Sequence, residues 1–480
     1  MDPLCLTHGP ACACRRDFLR AAGLAAGAIA LGCRGPRVLP TAWSVAARRK
    51  EPAVVRGAFL YPPSEKLRGK GGWWSWPGKD FDAEGRQQRY MARLTEAAPG
   101  LGVRLAMEEK PIDASADLAR FIAQVKDTKP DGLLLIPFKH SHFAHLNTLL
   151  KAVKIPTVIY SCLGVKHGSI KGYQRPGVYF IQALDDLGAI EYGLRMIATK
   201  KRMAQSRILS IGRTARDDYV VPDLGTEVRV RTIQRFVEEV DRTEVTDEVR
   251  ALARSYMRGA KEIVEPREPE IVTAARVHFA NRRLLAAEQA DAIMIDCLRR
   301  GLYMPCMSFM TLRDQGIAAG CENDLSATLT LMLAQLLFDR PGFQGNPGYE
   351  TERNHYFHSH CTSASKLFGV DAPAESYLLR DYPHTNDPTC CPQVLWRPGE
   401  DVTMAHYLGG KPPKMLVYSG KVVAWHAMPP VGGCRTNVEI TINELRDAAD
   451  VKGHHNVLFY GDHARRLRAF ARLYGITVVT

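Results

Sequence analysis

Two runs of consecutive apolar residues, Leu133-Leu134-Leu135-Ile136 and Val158-Ile159-Tyr160, constrain this chain more than any other feature. A strand with one wet face alternates apolar and polar residues, whereas a strand covered on both faces is apolar throughout. Both runs lie between stretches of helical periodicity. Helices are predicted near 84–98, 114–127 and 142–153, and strands at 54–61, 103–107, 132–136 and 157–161. Strands alternating with helices require crossover connections, and they predict a parallel, doubly wound sheet.

A second α/β unit is expected to begin near Tyr179-Phe180-Ile181. It takes in a strand at 207–212, long charged helices over roughly 232–290 and the apolar strand Ala292-Ile293-Met294-Ile295. Asp296 stands at the C-terminal end of that strand, where ligands gather in open α/β sheets, although an ordinary loop carboxylate would look the same. Beyond residue 340 the pattern turns β-rich. Residues 414–418, a Ser419-Gly420 turn and residues 421–425 read as a hairpin. A strand at 436–442, another at 457–460, a basic helix at 464–474 and a terminal strand at 476–479 complete the chain. The expected fold class is α/β: two doubly wound parallel-sheet domains, at 53–172 and 173–340, followed by a β-rich C-terminal domain at 341–480. With 480 residues, 46% of them hydrophobic, the chain can bury three such cores, and disordered or collagen-like classes are excluded.

Residues 1–33 read as an export signal. Cys14-Arg15-Arg16-Asp17-Phe18-Leu19-Arg20 runs into an apolar stretch ending at Leu31. At about 11 residues, that stretch falls short of the roughly 20 needed to span a bilayer. The paired arginines followed by Phe-Leu resemble a bacterial twin-arginine signal. Leu31-Gly32-Cys33 is similar to a lipoprotein cleavage box, which makes Cys33 a candidate for lipidation and membrane anchoring. A basic tether follows at 34–52. The expected location is therefore periplasmic, or membrane-anchored as a lipoprotein.

Lys plus Arg number 64 against 51 Asp plus Glu, but the basic residues come in short runs with acids nearby and no recognition motif accompanies them. A solvated surface is expected, not a nucleic-acid partner. Of the 12 cysteines, Cys5, Cys12, Cys14 and Cys33 fall in the leader and the rest are scattered, so neither a disulfide scaffold nor a structural zinc ribbon is indicated.

Chemistry-bearing residues concentrate in the second half. Cys321-Glu322-Asn323-Asp324 opens an apolar helix, and acids there can simply cap it. The histidines give the acids a second reading. His355, His358 and His360 are close in sequence, with His358 and His360 on one face if the segment is a strand. His454-His455 precedes the last apolar strand. Carboxylate with neutral imidazole is a usual ligand mixture for manganese, iron or zinc. Gly432-Gly433-Cys434-Arg435 either brings Arg435 to a ligand or forms a turn into a strand. Trp73, Trp74 and Trp76 in a Gly-rich loop could stack on a sugar or mark a subunit interface.

The segments Asp131-Gly132-Leu133-Leu134-Leu135-Ile136-Pro137, Cys321-Glu322-Asn323-Asp324 with its helix, His360-Cys361, Gly433-Cys434-Arg435, and His454-His455 with Tyr460-Gly461 together resemble the L-fucose and L-arabinose isomerase family over nearly all of 53–480. The resemblance implies two α/β domains, a β-rich C-terminal domain and an active site between subunits of a trimer or hexamer. It also implies aldose–ketose interconversion of a pentose or 6-deoxyhexose through an enediol, with a divalent cation, most often Mn²⁺. On that match Asp324 and His455 are metal ligands, His360 a further ligand and Glu322 a proton-transfer candidate. Arg435 and Trp74 are the candidates for contacting the small sugar. The family's other metal-site carboxylate is a glutamate upstream of the acidic run. The nearest acid here is Asp296, one methylene shorter and a second proton-transfer candidate. The alternative expectation is a non-catalytic, exported sugar-binding lipoprotein on the same fold.

Overall fold

The computed structural model describes residues 50–67, 77–166, 168–298 and 303–480. The leader with Cys33, most of the tether and the Trp73, Trp74 and Trp76 loop lie outside the described residues. β1 (Ala53–Leu60), β2 (Val103–Met107), β3 (Gly132–Pro137), β4 (Thr157–Cys162) and β5 (Val178–Ala183) form a parallel sheet in the order β2-β1-β3-β4-β5. Every residue of β3 and β4 is buried, as their unbroken apolar runs require. Their crossovers carry α1 (Ser64–Leu67), α2 (Ala83–Ala97), α3 (Ser115–Thr128) and α4 (Phe143–Ala152), and α5 (Leu187–Ala204) follows β5. Asp82 starts α2 by accepting a 2.8 Å bond from the Gly85 amide.

One boundary differs from expectation. β5, expected to open the second unit after residue 172, pairs with β4 from Thr157↔Val178 to Cys162↔Ala183 and closes the first sheet. Its half-buried residues mark it as an edge strand, and an edge strand lacks the continuous apolar run that betrays a central one.

The second sheet takes β6 (Arg207–Gly212), β7 (Tyr219–Val220) and β8 (Glu227–Thr232), then leaves through α6 (Ile233–Arg242), α7 (Asp247–Gly259), a short β9 (Glu262–Ile263) and α8 (Glu268–Glu288). It returns with β10 (Ala292–Ile295), α9 (Cys306–Asp314) and β11 (Ala319–Cys321). The order is β11-β10-β6-β8-β7, parallel except for the β7–β8 pair. α10 (Leu325–Phe338) follows β11. It is apolar on every side, and it touches α5, β10 and β11 on one hand and the C-terminal barrel on the other. A helix without a polar face must be buried all round, which makes α10 the central post of the fold.

The C-terminal region adds β12 (Phe343–Glu350), β13 (His355–His360), β14 (Tyr377–Arg380), β15 (Cys391–Val394), β16 (Asp401–Gly409), β17 (Lys414–His426), β18 (Thr436–Ile440), β19 (Asn456–Tyr460), α11 (Ala464–Leu473) and β20 (Thr477–Val479). The antiparallel succession β16-β19-β12-β13-β18-β17 closes on itself through β16–β17, giving a β-barrel, with β20 added in parallel to β17. β9, β14 and β15 form a separate small sheet.

The hairpin expected at Ser419-Gly420 does not form, because Lys414–His426 is one strand. β17 pairs with β16 up to Lys421 and with β18 from Val422 onward, so Gly420 sits where the strand passes from one partner to the next. A Cβ there would stand 1.8 Å from the Thr441 carbonyl oxygen. Glycine is needed for close backbone approach at a barrel corner, not for a reversal. Among the described residues no helix is long and apolar enough to cross a membrane.

Candidate metal centre

β11 ends at Cys321, and the chain turns sharply before α10. The Asp324 amide donates to the Cys321 carbonyl at 3.2 Å, with Glu322 (φ 58°) and Asn323 (φ 57°) between them in the left-handed region. Asn tolerates that conformation. For Glu322 it costs roughly 1–2 kcal/mol, so the surroundings must hold it. They do so from three sides. The Asn323 side chain accepts from Ser210 Oγ at 2.9 Å, and its amide donates to the Ile295 carbonyl at 3.0 Å. Fully buried Gln344 of β12 accepts from the Cys321 amide at 2.9 Å and donates to its carbonyl at 3.1 Å, clamping the turn to the barrel. Asp324 caps α10 by accepting from the Ala327 amide at 2.8 Å.

The turn delivers the Glu322 carboxylate to two imidazoles from the barrel. His360, the last residue of β13, places Nε2 3.2 Å from Glu322 Oε1. His455, just before β19 and itself left-handed at φ 59°, places Nε2 3.4 Å from Glu322 Oε2. The rings stand nearly perpendicular, with centroids 5.4 Å apart. One ligand atom from each of Glu322, His360 and His455 falls within a 4.8 Å span, a possible three-residue metal site. The donor set fits a cation on two counts. Two imidazole nitrogens and a carboxylate oxygen suit a first-row divalent metal, and the buried His455 Nε2 has no hydrogen-bond partner.

Asp324 stands one layer out. Oδ1 is committed to the helix cap and Oδ2 lies 2.9 Å from His455 Nδ1, the carboxylate–imidazole arrangement that fixes the tautomer and aim of a metal-binding histidine. His406 Nδ1 lies 3.2 Å from the His455 carbonyl and braces the same residue from β16. Neither Gln344 nor His406 was legible in the sequence, where each is an isolated polar residue in a strand.

Charge in the cluster is mutual. The His360 hydrogen bond and the facing His455 imidazole hold the Glu322 carboxyl well below the usual range, against the opposing effect of burial. Burial works against a charged His360, yet Cys321 and Glu322 outweigh it and raise the group to about 10. His455 likewise rises to about 9, burial being overcome by Asp324 and Glu322. The Asp324 carboxyl is lowered, because the His455 and Ala327 bonds together prevail over desolvation. A cation entering here would displace imidazole protons.

The register Ile295↔Cys321 sets Asp296 beside Glu322 at the same sheet end, but outside the three-residue cluster, with its carboxylate 2.5 Å from Arg213 Nε. Arg435 is buried and spent on structure. It donates to the Asp381 and Met428 carbonyls at 2.8 and 2.7 Å and ion-pairs with the Asp381 carboxylate. The guanidinium is thus engaged on three sides, and the sequence could not show this because Asp381 is far away along the chain. His358 also faces the barrel interior, 3.0 Å from the Phe343 carbonyl. Burial lowers its basicity to about 3.

No family model matches the chain, and no curated protein matches it. Among solved structures, the chain is similar to a periplasmic solute-binding protein of an ABC transporter from Actinobacillus succinogenes 130z with bound D-allose. Identity is 8%, coverage is 60% of this chain and 92% of that one, and the TM-score is 0.18. It is also similar to a protein described as the XylFII molecule (9% identity, 60% and 94% coverage, TM-score 0.16). A third is a sugar-binding protein of a sugar ABC transporter from Bacillus halodurans (14% identity, 62% and 91% coverage, TM-score 0.14). At these TM-scores the likeness carries no argument about function.

Proposed function

We propose that this protein is an exported, metal-dependent aldose–ketose isomerase of the fucose/arabinose type, built on two doubly wound domains and the barrel. The observation that carries the reading is the convergence of Glu322, His360 and His455, three residues far apart in sequence, into one donor set oriented by Asp324. Those three would hold the cation, for which Mn²⁺ is the choice. Bound there, a divalent cation supplies polarisation of the sugar's C1 and C2 oxygens. Asp324 keeps His455 aimed by accepting at Nδ1, and Gln344 keeps the Glu322 turn against the barrel. Asp296, beside the cluster, is the carboxylate assigned to take the C2 proton and return it to C1. Arg213 orients it. The substrate is a small pentose or 6-deoxyhexose and the working form a homo-trimer or hexamer. The twin-arginine leader sends the protein to the periplasm, and lipidation of Cys33 would anchor it.

A second reading is favoured by one observation: the Asp296–Arg213 ion pair occupies the position where a free acid/base is wanted. On that reading the protein binds a sugar without turning it over. Residues 34–480, loaded with Mn²⁺ and offered a panel of aldoses including L-fucose and L-arabinose, should form ketose in Mn²⁺ and none in EDTA. No ketose from any aldose, with the protein folded, would make sugar binding the leading reading.

A further inference from the structure

Beside the His–Glu cluster lies a group of sulfurs that the proposed reaction does not use. Cys306 of α9, Cys361 directly after β13, Cys391 of β15 and Cys434 before β18 meet with Met304 and Tyr382 in one apolar cluster. All four are free thiols. Cys361 Sγ is 3.6 Å from Cys434 Sγ, and Cys434 Sγ is 3.5 Å from His384 Nε2. The approach is built into the backbone. The Cys434 amide donates to Ser359 Oγ at 2.8 Å, and Gly433, at φ +117°, passes so close to the same hydroxyl that a Cβ would stand 2.6 Å from it. A disulfide needs a sulfur separation of about 2.05 Å, so a shift of roughly 1.5 Å closes the bond. Access singles out this pair. Cys434 and Cys361 keep 9% and 7% exposure against 3% and 0% for Cys306 and Cys391, and the loop before Cys434 is exposed at Pro429, Pro430, Gly432 and Gly433.

We propose that Cys361 and Cys434 are a redox-active pair that closes reversibly to a disulfide on meeting a small organic disulfide, and that closure changes the cation affinity of the adjoining site. Cys434 passes its proton to His384 and attacks one sulfur of the oxidant, whose S–S bond breaks. The first thiolate leaves and recovers that proton. Cys361 then attacks the Cys434 sulfur, and the second thiolate leaves with the Cys361 proton. Two electrons pass from the protein thiols to the oxidant, which ends as two thiols. Because Cys361 is peptide-bonded to His360, closing the gap draws on the residue that faces Glu322. This second part rests on the metal reading, whereas the disulfide does not.

The full chain is treated with 2-hydroxyethyl disulfide, alkylated, digested and mapped by mass spectrometry. The expected result is a Cys361–Cys434 cross-link that dithiothreitol removes, that persists in Cys306→Ser and that is absent from Cys434→Ser. Mixed disulfides alone, or a link from Cys361 to Cys306, would overturn the pair, and the wild-type map decides this even where a variant fails to fold. Mn²⁺ titration of the reduced and cross-linked forms should differ by about tenfold. Equal affinity in the two forms overturns the coupling. Absence of Mn²⁺ binding from both removes the metal reading and leaves the cross-link standing.

Discussion

Glu322 and His455 both sit in the left-handed region, and both point into the same small volume. Strain at two of three converging residues persists only where neighbours over-determine it, and here Gln344, Asn323 and His406 do so. Asp324→Asn separates the two jobs of that residue. Asn still caps α10, so the fold should survive, but the carboxylate against His455 Nδ1 is lost and Mn²⁺ affinity should fall by about 10- to 100-fold, read by metal titration beside a thermal melt. An unchanged affinity would remove Asp324 from the site. Glu322→Gln should go further, abolishing Mn²⁺ retention on a desalting column, since it removes the only anionic member of the three-residue cluster. The four acidic and histidine residues of the site were legible in the sequence as residue types near strand and helix ends. Their ranking was not, because an acid before an apolar helix reads equally as cap or ligand, and Asp324 turns out to cap the helix and orient the histidine at once.

Elements were legible in proportion to how completely they are buried. β3 and β4, covered on both faces, declared themselves by unbroken apolar runs, and α10 by apolar residues on every side. The edge strand β5 and the two-residue β9 carry no such mark, and β9 finds its partner β14 only through the tertiary fold. Ser419-Gly420 misled because glycine inside a strand and glycine in a tight turn look identical until the neighbouring backbone is known. That neighbour is the Thr441 carbonyl, which also accepts the Cβ contact in any larger residue. Gly420→Ala should therefore cost about 1–3 kcal/mol, measured as a lower urea midpoint with an unchanged slope, because backbone must move to make room. A turn glycine on the surface would have tolerated the change, so a neutral result would contradict the continuous β17.

Among the described residues the two sheets and the barrel meet on α10, and the join with the barrel includes a half-buried histidine. His463, at the start of α11, stacks on Phe338 at the end of α10 with centroids 4.4 Å apart, and burial together with Arg340 and Arg466 lowers its basicity to about 4. His278 of α8, buried under the second sheet against Ser308, is lowered by burial to about 3. Both therefore remain neutral in the folded protein at pH values where an exposed histidine, with its ordinary value of 6.5, takes a proton. Above pH 6.5 neither state binds the proton and the two groups do not affect stability. As the pH falls from there toward 4 and then 3, the unfolded chain binds protons that the folded chain refuses, and stability declines by up to about 1.4 kcal/mol per pH unit for each group. The carboxylates lowered in the folded state add their own loss only below their ordinary range, near pH 4.5. The interval from pH 6 to 5 thus lies above those carboxylate losses, and comparison with a variant picks out a single histidine. In His278→Gln, the dependence of unfolding free energy on pH across that interval, obtained from urea melts at each pH, should lose about one proton's worth of slope. An unchanged slope would mean that His278 charges inside the folded protein, and that the packing of α8 against the second sheet admits water.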